Sequence, residues 1–178
     1  MKRIKSVIGL AAAYFAACFA AASAGYGIFA VLSYMLFGRV VVFGAAPRMF
    51  LYHWEHPFQY IAVAAASYAM VGTCWSVFRD GTVVGWRRCV QIWLVIFASL
   101  ALATPFGSAL YSYHDMLAGF IPYNWWAKLA KDIMLGLANT PLIMLLSAPY
   151  SVLGLVAGYY ITRAIDGRCR RGGLGFVV

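Results

Sequence analysis

Charge is scarce in this chain, and acid is scarcer. Only 11% of the 178 residues are charged, with five Asp and Glu against fourteen Lys and Arg. Soluble domains carry roughly 25% charged residues. With 64% hydrophobic residues, a water-soluble globule would lack polar surface to cover itself. The same apolar excess excludes a disordered chain. Three histidines are present, His53, His56 and His114, and none lies in a long apolar run. Four-helix haem proteins place axial histidines inside their helices, so haem b has no ligands here. The four cysteines, Cys18, Cys74, Cys89 and Cys169, form no CxxC pair, which removes the motif of a disulfide-exchange enzyme. No phosphate-cradling glycine loop occurs; Gly172, Gly173 and Gly175 sit in a terminal stretch.

What is present is long apolar sequence. A helix needs about 20 apolar residues to cross a bilayer core. Four stretches qualify, about 7–37, 58–78, 89–111 and 133–162, and none contains Lys, Arg, Asp or Glu. Intramembrane charge is the usual mark of proton-coupled transport, and its lack disfavours a proton-driven carrier. A β-barrel would need apolar–polar alternation in strands of about ten residues, and residues 7–37 show none. The expected fold is therefore all-α: a single membrane domain, residues 1–178, built as a four-transmembrane-helix bundle. Lys2, Arg3 and Lys5 followed by an apolar run and Ala22-Ser23-Ala24 imitate a signal peptide. The run continues to Phe37, so the segment is expected to stay as a membrane helix.

Orientation follows the positive-inside rule. Lys2, Arg3, Lys5, Arg79, Arg87, Arg88, Arg163, Arg168, Arg170 and Arg171 share one side of a four-span layout. Arg39, Arg48, Lys128 and Lys131 share the other. The imbalance places both termini in the cytoplasm, with extracytoplasmic loops at Gly38–Pro57 and Ser112–Asp132, in the inner (plasma) membrane of a bacterial cell. Lys2, Arg3, Lys5, Arg87, Arg88, Arg168, Arg170 and Arg171 are the expected contacts with anionic lipid headgroups. This dispersed flank is not the basic face of a nucleic-acid-binding domain, so no nucleic-acid partner is expected. Tyr52, Trp54, Tyr111, Tyr113, Trp125 and Trp126 on one side, and Trp75, Trp86, Tyr159 and Tyr160 on the other, suit the headgroup level.

Two small-residue faces predict close helix packing. Gly9, Ala13, Ala17, Ala21 and Gly25 recur every four residues in the first span, and Gly154 and Gly158 form a GxxxG in the fourth. Prolines mark irregularity: Pro105, near Gly107, bends or ends the third span, and Pro141 and Pro149 kink the fourth. The first span is longer than a bilayer core requires, so it tilts, projects, or breaks near Gly25-Tyr26-Gly27.

The chemistry-bearing residues gather in the two outer loops. His53, Glu55, His56, His114 and Asp115 include every histidine and two of the five acids. Zinc takes His and carboxylate, and copper takes His with Met, so these five are the candidate ligands of a divalent metal. A pH-sensing role and a plain polar loop surface are the rival readings. Ser112, His114 and Asp115 have the residue types of a hydrolytic triad, but a triad is assembled in space and not by adjacency. No catalytic residues are assigned. The expected function is non-enzymatic: a subunit or interaction partner in a membrane complex, whose partners are the bilayer, other membrane chains or copies of itself. The alternatives are a homo-oligomeric channel or small-solute transporter, an immunity- or exclusion-type membrane protein, and a metal-binding membrane enzyme subunit.

Overall fold

The computed structural model describes residues 2–38, 56–79, 85–120, 126–146 and 150–171. Among them all regular structure is helical: α1 (Lys2–Phe37), α2 (Pro57–Phe78), α3 (Trp86–Leu117), α4 (Trp126–Ala138), α5 (Thr140–Leu146) and α6 (Tyr150–Arg171). Three of these, α1, α2 and α3, are long and apolar enough to cross a membrane, and the chain is a membrane protein with transmembrane helices.

The helix ends follow from local chemistry. Gly38 takes φ +64 and its N–H returns to the Tyr34 carbonyl at 2.9 Å, an αL stop that L side chains resist. Pro57 opens α2, where its missing N–H is not needed. At the end of α3, Gly119 (φ +78) donates to Met116 and Phe120 donates to Asp115, the paired bonds of a Schellman cap. α1 runs unbroken through Gly25-Tyr26-Gly27. Its 36 residues rise about 54 Å at about 1.5 Å each, well beyond a core of about 30 Å.

α3 likewise passes through Pro105 and continues to Leu117. Hydroxyls just before the proline lean back on their own helix, Ser99 to the Val95 carbonyl at 2.6 Å and Thr104 to the Leu100 carbonyl at 2.8 Å. Such back-bonding accommodates polar groups inside an apolar helix. The long fourth apolar stretch is instead divided into α4, α5 and α6. Asn139 separates the first two, and Pro141 stands near the start of α5, where a proline removes no needed donor. Pro149 lies outside the described residues, between α5 and α6.

α1 packs on α2, α2 on α3, α3 on α6 and α6 back on α1, which closes a ring of four helices; α4 lies against α3. Cross-contacts give the directions. Tyr14 meets Ser76 while Tyr26 meets Phe58, so α1 and α2 are antiparallel. Gln59 meets His114, so α2 and α3 are antiparallel. The bundle thus has a basic end, holding Arg79, Arg88 and Asp166, and a histidine end, holding His56 and His114.

The break in the fourth stretch has a geometric consequence. Gly136 of α4 faces Thr104 and Ser108, and Gly158 of α6 faces Ile96. As one straight helix, residues 136 to 158 would rise about 33 Å, yet the residues they face on α3 are separated by only about 12–18 Å of rise. α5 and its flanks absorb the difference, so the chain steps sideways between α4 and α6.

The core is a cluster of Tyr14, Tyr68, Ala69, Ile92, Val95, Ile96 and Ile165 within the four-helix ring. Around it many large apolar side chains face outward, among them Ile28, Val31, Leu32, Met35 and Leu36 on α1. In water that would be costly; in lipid it is neutral.

Candidate functional site

Two polar clusters lie at opposite ends of the bundle. The one at the basic end escaped the sequence reading. Asp166 is wholly buried, 0% exposed, and pairs with both Arg79 and Arg88. Arg79 closes α2, Arg88 lies in the first turn of α3, and Asp166 lies near the end of α6. The Arg79 side chain is 9% exposed and that of Arg88 is 25% exposed. Arg79 also sits over the Trp75 ring, 4.8 Å from its centroid, a cation–π contact. A carboxylate buried at this depth needs close cationic partners, and α6 obtains them from two other helices.

A hydroxyl network extends inward from that cluster. Tyr68 donates to the Gly158 carbonyl at 2.9 Å and also bonds Thr162. With its single proton committed to Gly158, the Tyr68 oxygen accepts from the Thr162 hydroxyl. Tyr14, 0% exposed, shares a hydrogen bond with Ser76 at 3.0 Å and meets Tyr68 edge to face with centroids 5.5 Å apart. Cys89 and Tyr159 approach to 3.5 Å. Each contact ties different helices together, so the basic half is cross-linked by polar groups in an apolar setting.

The cluster at the histidine end contains part of the sequence-derived site. His56 and His114 stack with centroids 4.2 Å apart and planes 15° apart. His114 Nε2 lies 2.9 Å from Gln59 Oε1. His114 and Asp115 are buried, as is Ser112. His53 and Glu55 lie outside the described residues. Metal ions take the in-plane lone pair of an imidazole, at about 2.0–2.1 Å for zinc. Two rings stacked in nearly parallel planes direct those lone pairs past each other, and in this arrangement His56 and His114 meet face to face. Among the described residues no three His, Cys, Asp or Glu side chains gather closely enough to hold a metal.

The small-residue positions are placed unequally. Gly25 and Gly158 are buried, Ala17 and Ala21 are half-buried, and Gly9, Ala13 and Gly154 are exposed. The reason is helical drift. A four-residue step turns a straight helix by about 40° beyond a full turn, so the row from Gly9 to Gly25 winds through about 160°. The inward face of α1 is set by Tyr14, and only the later members of the row reach it. Three glycines make close contacts. A Cβ on Gly158 would lie 3.4 Å from Ile96, one on Gly72 would lie 2.9 Å from the Tyr14 ring, and one on Gly136 would lie 3.0 Å from the Thr104 carbonyl oxygen. Gly72 and Gly136 are the only glycines of α2 and α4, so no GxxxG pair announces them.

Of the expected headgroup residues, Arg87 and Arg168 are exposed, Arg88 is engaged by Asp166, and Lys2, Arg3, Lys5, Arg170 and Arg171 fall in the terminal turns of α1 and α6. No family model, no curated protein and no solved structure matches this chain.

Proposed function

We propose that the protein is a four-crossing membrane protein with both termini in the cytoplasm, its fourth crossing made by the stepped α4–α5–α6 segment. It acts without catalysis, as a subunit or interaction partner in a membrane complex. The observation that carries this reading is the contrast in how the helices are engaged. Buried ionic and hydroxyl contacts fix the basic half internally, while α1 from Ile28 to Phe37 exposes a succession of large apolar side chains beyond that ring. A fixed base with a projecting apolar helix suits a scaffold that offers a helix face to another membrane segment. The direct test is the mass of the native complex extracted in nanodiscs, with its chains identified. Recovery with a second membrane chain or a further copy supports the reading; a lone monomer from cells at native abundance contradicts it. Orientation is tested by labelling single cysteines in intact cells: Gly44→Cys should react and Gly81→Cys should not.

One observation favours a second reading, a homo-oligomeric channel or small-solute transporter. Discontinuous membrane helices line the sites of many transporters, and the α4–α5–α6 segment is discontinuous. Solute flux in proteoliposomes, with Pro141→Ala as the altered-break variant, separates the two.

A further inference from the structure

Two helix breaks lie at one height in neighbouring helices. Pro105 stands inside α3 and has no N–H for the Ala101 carbonyl, so the α3 ladder is weakened over residues 101–105. α4 lies against α3 and its Gly136 faces Thr104 and Ser108, so α4 runs back along the histidine-end half of α3. A backbone bond from Asn139 to the Leu135 carbonyl at 2.9 Å closes α4. The Thr140 hydroxyl reaches the Gly136 carbonyl at 3.3 Å, and Pro141 has no N–H for the Leu137 carbonyl. From Gly136 to this break the chain rises about 4.5–7.5 Å, three to five residues. The same rise along α3 leads from the Thr104 and Ser108 level to about residues 101–103. The two breaks therefore stand side by side, within about one turn of each other.

On the two sides of this level the bundle is held differently. Toward the basic end, α6 is tied to α2 and α3 by Asp166 with Arg79 and Arg88, and to α2 by Tyr68 with Gly158 and Thr162. Toward the histidine end, α4 lies against α3 outside the ring of four helices, and its close approach at Gly136 makes it move with α3. That half of α3 meets α2 through His114, which bonds Gln59 at 2.9 Å and stacks on His56. We infer that residues 106–117 of α3 and the whole of α4 form one hinged hairpin, which swings away from α2 about the paired breaks and is latched by the His114–Gln59 contact. Gly107 loosens the helix beside Pro105, and a Cβ there would meet nothing within 4 Å. Hinges are a few loop or element-terminal residues that absorb the change in backbone angles. Asn139 and Pro141 fill that role for α4, which moves without dragging α6 from its ion pairs. His114 is buried in the closed arrangement, and the swing uncovers it. Such a hinge belongs to the bundle itself and serves a complex subunit and a channel alike.

The full chain is placed in nanodiscs with its natural cysteines replaced, and pulsed electron paramagnetic resonance reads distances between paired spin labels. One pair, Ile28→Cys on α1 with Met134→Cys on α4, reports the hinged side. The other, Ile8→Cys on α1 with Leu94→Cys on α3, reports the basic half; all four positions are exposed. The distance distribution of the first pair should be broader than that of the second and hold a separate long-distance component. Pro105→Ala restores the donor for Ala101 and should remove that component. Gln59→Leu should raise the ratio of long to short distances about threefold, the factor that one typical interhelical hydrogen bond corresponds to. An unchanged distance in the second pair shows that each variant is folded. One narrow distance in the first pair, in wild type and Gln59→Leu alike, overturns the hinge. A long-distance component that survives Pro105→Ala overturns it too. A Gln59→Leu protein with the wild-type ratio overturns the latch.

Discussion

The two ends of this bundle differ in the kind of polar group that meets between helices. At the basic end, groups from separate helices meet inside the apolar ring: Asp166 with Arg79 and Arg88, Tyr68 with Thr162 and Gly158, Tyr14 with Ser76. At the histidine end neutral rings and amides meet instead: His56 stacks on His114, Tyr60 and Tyr113 stand beside the His114 ring, and His114 meets Gln59. Lipid offers helices no hydrophobic drive to associate, so packing and polar contacts carry the association. Removing a member of the buried arginine–aspartate cluster should therefore cost more than removing one ring of the histidine stack.

The largest effect should come from the buried carboxylate. Asp166→Ala leaves Arg79, only 9% exposed, without its counter-ion, and removing one partner of a buried pair costs about 3–5 kcal/mol. Loss of the folded protein from detergent extracts, or a steep fall in thermal midpoint, is the expected result.

Next in size are the close approaches. Gly72→Ala would press a methyl into the fully buried Tyr14 ring, and Gly136→Ala would meet the Thr104 carbonyl oxygen, which belongs to backbone and yields little. Overpacking of this kind costs about 1–3 kcal/mol. Gly154→Ala, with nothing within 4 Å, should leave the midpoint unchanged and serves as the matched control. If all three behave alike, the contact geometry is wrong.

Smaller still is Tyr68→Phe, which deletes a hydroxyl joined to both Gly158 and Thr162. Interhelical hydrogen bonds in membranes are worth about 0.6 kcal/mol on average and up to about 1.7. A modest drop in midpoint with unchanged assembly is expected. Smallest are the early small residues of α1: Ala13→Leu lies on the exposed side and should be near neutral, whereas Ala21→Leu, half-buried, should destabilise measurably. Equal effects would mean that the whole small-residue row, and not the Tyr14 face, is the packing surface.

The apolar runs announced the membrane helices because hydrophobic length is a local property. The runs at 7–37, 58–78 and 89–111 fall within α1, α2 and α3, whose ends extend only a few residues further. The stretch at 133–162 read as one span because nothing in its composition separates a kink from a sideways step. That distinction depends on what Gly136 and Gly158 face on α3. Asp166 was invisible for a related reason. In sequence it sits among arginines beyond the last apolar run and looks like part of a wet tail; only the convergence of Arg79 and Arg88 from other helices makes it a buried group. Of the outer-loop candidates, the sequence marked His56, His114 and Asp115 as chemically distinctive. Whether two imidazoles stack or chelate is set by ring orientation, which spacing does not encode.

Double-mutant cycles at the two ends test the central contrast most directly. Unfolding free energies are measured in one lipid environment for Arg79→Met, Asp166→Leu and the pair, and for His56→Ala, His114→Ala and the pair. The account predicts a coupling between Arg79 and Asp166 of about 2–3 kcal/mol, at the upper end for contacting residues, and one between His56 and His114 near about 0.5 kcal/mol. Equal couplings, or a larger one at the histidine end, would contradict it.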